Sequence, residues 1–431
     1  MVTRPLRIGV AGLGTVGVGT VRLLAEHADL LAQRCGRRLE VAAVSARERN
    51  RDRGVDVSEA RWYDDAQGLA ADADIDVVVE LIGGADGVAL DLCRAAIKAG
   101  KHVVTANKAL IAGHGSELAA LAESAGVALG YEAAVGGGIP IVKALREGLA
   151  ANRVDRVYGI LNGTCNYILS AMRESGRDFA EVLAEAQRLG YAEADPGFDI
   201  DGVDSAHKLA ILASLAFGCR LDFDAVHIEG IRHVSPLDID YALELGYHIK
   251  LLGIAGLTER GLEQRVHPCM VSVDVPIAHV DGVFNAVVAE GDFVDRTMFS
   301  GRGAGAGPTA SAVVADLVDI ARNRILPVFG IPAGELADIP AASMENHFGA
   351  YYIRLMVVDR PGVMADVTAA LRDAEVSVEA LIQRGRNPGD VVPVVLTTHE
   401  TEERAMRQAL SRIGELDTVL EAPHMIRIEQ L

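Results

Sequence analysis

The feature that most constrains this chain is a short apolar strand that runs into three closely spaced glycines and then a helix. The chain reads LRIGVAGLGTVGVGT near its start, which predicts a strand over Ile8–Ala11 and an amphipathic helix to about Leu31. Gly12 permits a tight turn, Gly14 lets the backbone approach a pyrophosphate, and Gly17 lets the helix pack on the strand. A strand before and a helix after are the context expected of a dinucleotide-binding motif. A purely structural glycine turn is the alternative.

The backbone N–H groups at the start of this helix would face the bound anion. The predicted cofactor loop is therefore Gly12, Leu13, Gly14, Thr15, Val16 and Gly17.

The second predicted strand, Leu39–Ser45, lacks the acidic residue that usually binds a ribose 2′-hydroxyl at this position. Arg47 follows the strand instead, and more arginines follow it in the sequence RERNRDR. An arginine at this place suits a 2′-phosphate, so NADP(H) is favoured over NAD(H). A solvated basic loop is the alternative.

Further strands are predicted over Asp76–Ile82 and His102–Thr105, with a helix near Val88–Ala99 between them. This alternation is typical of a parallel, doubly wound sheet. Thr105 and Lys108 come at the carboxyl end of a strand, the edge where such sheets bind ligands. We expect both to face cofactor or substrate, although a plain loop lysine fits the pattern too.

An acidic loop leads into an apolar helix over residues 191–217, which begin YAEADPGFDIDGVDSAHK. Asp204 and Lys208 are four residues apart and therefore share one helix face. The helix is apolar almost all round, which predicts burial, with Lys208 on its first turn. Chemistry at a buried lysine behind an acidic loop is one interpretation. A solvated helix start with an ordinary ion pair is the other.

Two glycine-rich segments frame the region between these elements. Three consecutive glycines follow Glu132, and their exposed carbonyl groups suit either a small cation or a simple hinge. Gly301–Thr309 precedes a helix predicted over Ala310–Arg322, so Gly303 either approaches the cofactor or forms a structural turn.

The rest of the chain predicts a mixed sheet and a small C-terminal module. The mixed-sheet strands are predicted at Val154–Leu161, Ala225–Ile231, Ile249–Ala255, Gln264–Val273 and Phe284–Glu290, with a helix at Tyr167–Arg173. From Tyr351 to Glu429 the order is βαββαβ, with a turn at Arg384–Asp390, which is typical of a ferredoxin-like sandwich. The turn at Pro361-Gly362 precedes a helix and would seat an amino-acid carboxylate.

Charge and cysteine usage exclude several partner classes. The 41 basic and 60 acidic residues leave a net charge of −19, which disfavours nucleic acids and anionic membranes. Five scattered cysteines without a CxxC pair predict free thiols in a cytoplasmic protein, with neither disulfides nor zinc. The N-terminus runs directly into a strand, and no apolar run reaches the roughly 18 residues of a membrane span.

Five blocks of the chain resemble the homoserine dehydrogenases of the monofunctional bacterial type with a C-terminal ACT domain. They are GLGTVG (12–17), VVTANKAL (103–110), EAAVGGGIP (132–140), GILNGTCNYIL (159–169) and GYAEADPGFDIDGVDSAHK (190–208). The resemblance implies NAD(P)H-dependent, reversible reduction of L-aspartate 4-semialdehyde to L-homoserine, in threonine and methionine biosynthesis.

The resemblance also implies roles for individual residues. Lys208 matches the proton donor, Asp204 its neighbour that orients substrate and lysine, and Lys108 the lysine that reaches toward cofactor and substrate. Glu193 and Asp199 match contacts to the substrate amino group. A monovalent cation, sodium or potassium, is implied at Glu132 and the backbone oxygens of Val135, Gly137 and Ile139. No zinc-ligand set exists in the sequence to polarise the carbonyl instead.

The predicted fold class is a Rossmann-type doubly wound parallel sheet, an α+β mixed-sheet catalytic domain and a ferredoxin-like ACT domain. The expected boundaries are 1–135 for the NAD(P)-binding domain, 136–330 for the substrate-binding, catalytic and dimerisation domain, 331–349 for a linker and 350–431 for the ACT domain. The helix at 310–322 is expected to return to the first domain. We expect deletion of residues 344–431 to leave activity but abolish the response to threonine.

The family resemblance further implies a homodimer or homotetramer with L-threonine as effector. Two alternatives compete with this function. One is another NAD(P)-dependent amino-acid dehydrogenase of similar layout, and the other is a non-catalytic sensor of nucleotides and amino acids.

Overall fold

The computed structural model describes residues 4–384 and 389–431, and its N-terminal part is a six-stranded parallel sheet. The strand order is β3-β2-β1-β4-β5-β6, which confirms the doubly wound parallel sheet predicted from the sequence. The strands are β1 (Leu6–Ala11), β2 (Leu39–Ser45), β3 (Arg61–Tyr63), β4 (Val77–Glu80), β5 (His102–Thr105) and β6 (Leu129–Gly130). The helices between them are α1 (Thr15–Glu26), α2 (Ala28–Cys35), α3 (Gln67–Ala71), α4 (Val88–Lys98) and α5 (Lys108–Ala125).

The middle of the chain alternates helices with the strands of a second sheet. Its helices are α6 (Ile141–Lys143), α7 (Gly163–Ser175), α8 (Phe179–Arg188), α9 (Gly197–Ile200), α10 (Val203–Phe217), α11 (Pro236–Glu244) and α12 (Ala306–Ala321). Its strands are β7 (Val154–Ile160), β8 (His227–Ile228), β9 (Tyr247–Thr258), β10 (Gly261–Ser272), β11 (Phe284–Gly291) and β12 (Asp295–Arg302).

Helix α12 packs back onto the first sheet. Its apolar residues share one buried cluster with β1 and α1, and Gly19 of α1 lies so close to Ala306 that a Cβ there would come within 2.7 Å of the Ala306 carbonyl oxygen. The segment between β12 and α12 is thereby held against the first sheet.

The C-terminal module has the predicted βαββαβ order. Its elements are β13 (Phe348–Val358), α13 (Val363–Asp373), β14 (Val378–Gln383), β15 (Val391–Thr398), β16 (Thr401–Glu402), α14 (Glu403–Gly414) and β17 (His424–Glu429). The sheet order β17-β13-β15-β14 is that of a ferredoxin-like sandwich. The predicted turn at Arg384–Asp390 includes residues 385–388, which lie outside the described residues.

The C-terminal module continues the sheet of the middle domain, which the sequence did not predict. Strand β17 pairs in parallel with β10, and eleven strands form one sheet. Buried charges cross this junction: Arg427 of β17 donates to Glu229 at 2.8 and 2.9 Å, and Arg265 of β10 donates to Glu429. The module is therefore an integral part of the sheet.

Several elements differ locally from the prediction. The first helix ends at Glu26, and a second one begins at Ala28, because His27 leaves the helical conformation between them. Lys108 begins the long helix α5 instead of lying in a loop. Lys208 lies on the second turn of α10, because this helix already begins at Val203. The strand expected near Ala225–Ile231 is reduced to two residues.

Within residues 4–384 and 389–431, none of the helices combines the length and the apolar character needed to cross a membrane.

Candidate active site

A cavity of about 700 Å³ is lined by residues of the first domain and of the middle domain. Its lining comes mainly from the turns after β5 and β7, the segment after β6, the acidic loop with the start of α10, and the glycine-rich segment before α12. Eight of the eighteen residues singled out in the sequence line this cavity, and the list is Val16, Lys108, Gly137, Glu193, Asp199, Asp204, Lys208 and Gly303.

Lys208 is buried in the floor of the cavity with 8% of its surface exposed. Its Nζ donates to Asp204 Oδ2 at 2.6 Å and to the carbonyl oxygen of Leu161 at 2.7 Å. An ammonium group has three N–H donors, so one remains for a ligand. The interpretation of this helix start as solvated is wrong, because α10 is buried from Asp204 onward on nearly all sides.

Asp204 lies between two lysines. Its Oδ1 is 3.0 Å from Lys108 Nζ, while its Oδ2 accepts from Lys208. Burial alone would raise the pKa of Asp204, but the two ammonium groups outweigh that effect and hold its pKa well below the usual range. The carboxylate therefore stays ionised and fixes both lysines at the edge of the cavity.

Lys108 is more accessible than Lys208. One third of its side chain is exposed, and its Nζ lies 5.4 Å from the centre of the Phe198 ring. The ion pair with Asp204 and the contact with the ring both stabilise its charge.

Asn162 connects the two carboxylates and was not identified from the sequence. Its Nδ2 donates to Asp199 Oδ1 and to Asp204 Oδ2, both at 2.8 Å, while its Oδ1 caps α7 by accepting from Cys165 N. The available signal was its position, directly after β7 and before a helix, within the block GILNGTCNYIL. The side chain places the acidic loop against α10.

The acidic loop presents two carboxylates to the cavity. Asp199 is half-buried and accepts from Thr164 Oγ1 at 3.2 Å, and burial together with the neighbouring Asp204 raises its pKa. Glu193 is exposed at the rim. Two carboxylates converging on one side of a cavity suit a ligand that carries an ammonium group.

Each glycine of the first motif is required for a different structural reason. Gly12 has φ of +98°, and a Cβ on Gly17 would overlap the carbonyl oxygen of Gly12. Gly14 faces open space at the N-terminus of α1, where no side chain caps the helix. Room for a ligand next to uncapped N–H groups fits the pyrophosphate of a dinucleotide.

The two other predicted cofactor residues of this sheet differ in their surroundings. Arg47 is exposed two residues beyond β2, next to the carboxyl end of β1. Thr105 is fully buried, and its hydroxyl donates to Glu80 Oε2 at 2.6 Å. The Thr105 side chain thus fixes the turn after β5 instead of facing the cavity.

Comparison with known proteins agrees with this geometry. The family model of the homoserine dehydrogenase NAD-binding domain matches residues 12–132, that of homoserine dehydrogenase matches residues 140–318, and that of the ACT domain matches residues 351–417. A homoserine dehydrogenase of Pseudomonas aeruginosa is 48% identical over 438 aligned residues, covering 99% of this chain and 100% of the relative.

The chain belongs to the homoserine dehydrogenase family.

Solved structures of this family have the same fold. A homoserine dehydrogenase from Thiobacillus denitrificans superimposes with a TM-score of 0.93 at 46% identity, covering 99% of this chain and 98% of that one. A hyperthermophilic archaeal homoserine dehydrogenase in complex with NADPH has a TM-score of 0.64 at 26% identity, covering 74% of this chain and 99% of that one.

The resemblance seen in the five sequence blocks is thereby confirmed. The chain is an NAD(P)-dependent oxidoreductase of amino-acid biosynthesis, a homoserine dehydrogenase with a C-terminal ACT regulatory domain. Family membership decides against the two alternatives, a different amino-acid dehydrogenase and a sensor without activity.

The cation site that the resemblance implies lies where the two glycine-rich segments of this homoserine dehydrogenase meet. Gly137 packs so closely against Gly303 that a Cβ on Gly137 would lie 2.4 Å from the Gly303 carbonyl oxygen. Glu132 is 2% exposed, and its carboxylate oxygens accept from the backbone N–H groups of Val142 and Lys143 at 3.0 and 2.8 Å. Burial, followed by the nearby Asp316, raises the pKa of Glu132 to about 7. A buried carboxylate next to backbone carbonyl groups offers the oxygen ligands that a small cation prefers.

The ACT module contains a second cavity, of about 310 Å³, at the turn between β13 and α13. Gly362 precedes α13 with φ of +102°, and no side chain caps this helix. Gln383 of β14 lines the opposite side. The carboxylate-binding site predicted at Pro361-Gly362 therefore borders a cavity large enough for an amino acid.

Proposed function

We propose that this chain reduces L-aspartate 4-semialdehyde to L-homoserine with Lys208 as the proton donor. The observation that carries the proposal is the buried Asp204–Lys208 pair, in a cavity that is also lined by Val16 of the cofactor loop and by Gly303. NADPH supplies the hydride when it is bound. Lys208 directs a free N–H at the aldehyde oxygen, stabilises the charge that develops there and releases its proton to it.

The remaining charged residues orient the substrate. Glu193 and Asp199 bind the substrate ammonium group, and Asn162 holds Asp199 in place by donating to it at 2.8 Å. Lys108 pairs with Asp204 and keeps that carboxylate ionised, so that Lys208 retains a fixed partner. Burial and the two protein hydrogen bonds favour Lys208 over the more exposed Lys108 as the proton donor.

NADP(H) is the proposed cofactor. Gly12, Leu13, Gly14, Thr15, Val16 and Gly17 would hold the pyrophosphate, and Gly303 would approach from the second sheet. Arg47 supports NADP(H) over NAD(H), because it is exposed just beyond β2, the position from which an arginine can bind a 2′-phosphate on the adenosine ribose. Glu132, with the carbonyl oxygens of Val135, Gly137 and Ile139, would hold sodium or potassium.

Turnover with the two nicotinamides tests this function. Purified enzyme is mixed with L-aspartate 4-semialdehyde and either NADPH or NADH, and nicotinamide absorbance is followed. We expect NADPH oxidation with homoserine as product and a lower kcat/KM with NADH. Arg47→Ala should raise the KM for NADPH selectively. Absence of oxidation with this substrate, while another semialdehyde is reduced, would refute the proposal.

L-Threonine is the proposed effector of the ACT module. Its carboxylate would bind the uncapped N-terminus of α13 at Gly362, within the cavity beside Gln383. A threonine titration of the full-length enzyme tests this, and we expect inhibition together with a rise in Tm. Indifference to threonine in both assays would remove the regulatory proposal and leave the catalytic one intact.

We also propose a homodimer or homotetramer in the cytoplasm, with 1–135, 136–330 and 350–431 as domains and 331–349 as linker. Leu381 of β14 and Val391 of β15 are 44% and 49% exposed, which suits pairing of ACT modules. All five cysteines are free and buried in the described chain, which suits a reducing compartment. Light scattering of the purified protein measures the assembly, and a monomeric mass would contradict it.

A further inference from the structure

Asn285, the second residue of β11, has a buried hydrogen-bond acceptor that no group of the protein uses. The residue is 2% exposed and lines the active-site cavity. Its Nδ2 donates to the carbonyl oxygen of Leu161 at 2.9 Å, which assigns the orientation of the amide. Its Oδ1 then has no hydrogen-bond partner among residues 4–384 and 389–431. Buried acceptors without partners are rare in folded proteins, because burial removes the water they would otherwise bind.

Asn285 lies directly beside the proposed proton donor. The Leu161 carbonyl oxygen that accepts from Asn285 also accepts from Lys208 Nζ, at 2.7 Å. The free Oδ1 therefore lies within a few ångströms of the place where the aldehyde is reduced.

The glycine-rich segment before α12 is shaped around this side chain. A Cβ on Gly303 would overlap Nδ2 of Asn285 and would lie 2.8 Å from its Oδ1. A Cβ on Gly163 would lie 3.4 Å from the same Oδ1. Two glycines thus leave the amide in close contact with backbone, and Asn285 borders the cavity.

The chemistry of the reactants restricts what this acceptor binds. The aldehyde oxygen and the carboxylate of the substrate are themselves acceptors, and the substrate ammonium group faces Glu193 and Asp199. The hydroxyl groups of the nicotinamide ribose are attached on the far side of the ring from the reacting carbon, so the donor nearest that carbon is the carboxamide –NH₂ of the nicotinamide. That group is attached to the ring carbon next to the one that carries the hydride.

We propose that Asn285 Oδ1 accepts a hydrogen bond from the nicotinamide carboxamide and thereby fixes the ring beside Lys208. This inference rests on the proposed function, since it assumes hydride transfer in this cavity. The bond would select one rotation of the ring about its glycosidic bond, and hence the face that it presents to the substrate. Asn285 is then a cofactor-binding residue of the reaction, supplied by the second sheet.

A cofactor analogue isolates this bond. In 3-acetylpyridine adenine dinucleotide phosphate a methyl group replaces the –NH₂ and the carbonyl remains, so the proposed donor alone is lost. We measure kcat/KM for the reduced natural cofactor and the reduced analogue with wild type and Asn285→Ala, and compare the two preferences. We expect the preference for NADPH to be about tenfold larger in wild type, the usual effect of one hydrogen bond of this kind.

Two further variants separate a bond to the cofactor from a structural role. Asn285→Leu keeps nearly the shape of asparagine but has no acceptor oxygen, so it should lose the wild-type preference as Asn285→Ala does. Asn166→Ala removes a buried amide whose Nδ2 donates to Val280 and Phe284 carbonyl oxygens outside the cavity lining, so its preference should equal that of wild type.

The outcomes distinguish the inference from the function on which it rests. Wild-type turnover with equal preferences in wild type and Asn285→Ala would overturn this inference and leave the proposed function standing. If Asn285→Ala does not fold, equal preferences in wild type and Asn285→Leu overturn it as well. A wild-type enzyme that does not oxidise NADPH with L-aspartate 4-semialdehyde overturns both.

Discussion

Asp204 neutralises two ammonium groups from a buried position, so the loss of its charge should cost more than the loss of a surface partner. Asp204→Asn keeps the shape of the side chain but leaves Lys208 and Lys108 without their anion. We expect the free energy of unfolding to fall by about 3–5 kcal/mol, as for other broken buried ion pairs. Urea unfolding measures it.

Asp201→Asn is the matched control. Asp201 precedes the same helix and pairs with Arg232, but the two side chains are 45% and 46% exposed. An exposed pair contributes about 1 kcal/mol or less. Equal losses in the two variants would contradict the account of Asp204.

Gly303 should be intolerant of even one added carbon, because the Cβ would overlap the Asn285 amide. We expect Gly303→Ala to raise the KM for NADPH and lower kcat. Gly307→Ala adds the same carbon in open space on the first turn of α12 and should leave both constants near wild type. Steady-state kinetics at varied NADPH concentrations measure both constants. Equal KM and kcat values in the two variants would show that the space at Gly303 is not needed for cofactor binding.

For individual residues, the sequence predicts which ones lie near the site but not the direction in which their side chains point. Thr105 and Lys108 follow the same strand, yet the threonine hydroxyl turns to Glu80 and the lysine turns to Asp204. Asn162 and Asn285 belong to the site through contacts with residues 37 to 124 positions away. Such long-range contacts leave no local pattern in a single sequence.

At the scale of elements, hydrophobic pattern and glycine placement predicted most strands and the central helix α10. Helix α5 was missed because Gly113 and Gly115 lower its intrinsic helix propensity. In the structure Gly115 is required by packing, since a Cβ there would lie 2.6 Å from Leu221. Tertiary contacts of this kind override local propensity.

The ion pairs at the junction of β10 and β17 should make the stability of the enzyme sensitive to acid. Burial would raise the pKa of Glu263, but a hydrogen bond from His347 and the charge of Arg265 lower it from 4.5 to about 2. A lowered pKa stabilises the fold above the unfolded value of 4.5, and this contribution is lost as the pH falls toward 2.

We therefore expect the free energy of unfolding of wild type to fall between pH 4.5 and pH 2, and more steeply than that of Glu263→Gln. Urea unfolding at several pH values in this range measures both slopes. Parallel slopes would show that Glu263 does not contribute to the acid sensitivity.

For the whole molecule, the shared eleven-stranded sheet changes what removal of the ACT module should do. The sequence suggested that residues 344–431 are dispensable for activity. In the structure their removal exposes the edge of β10, takes Glu429 from Arg265, and takes Arg354 and Tyr352 from the fully buried Asp238. The order of the modules along the chain can be predicted from the sequence. The pairing of strands between modules cannot, because it depends on contacts between segments that are far apart in the chain.

We accordingly expect the chain truncated after residue 343 to be aggregated or to unfold well below the full-length Tm. Size-exclusion chromatography and thermal unfolding measure this. A truncated enzyme that is monodisperse, with the full-length Tm and activity, would contradict the integral role of the module and restore the expectation drawn from sequence.

The central claim is that the shielded ammonium of Lys208 protonates the reduced aldehyde. The most direct measurement is kcat of Lys208→Ala with NADPH and L-aspartate 4-semialdehyde, together with the Kd for NADPH. We predict a fall in kcat on the order of 10²–10⁴, the usual contribution of a general acid, with an unchanged Kd for NADPH. An unchanged kcat in Lys208→Ala would contradict the assignment, and a fall of this size in Lys108→Ala with no fall in Lys208→Ala would assign the donor to Lys108 instead.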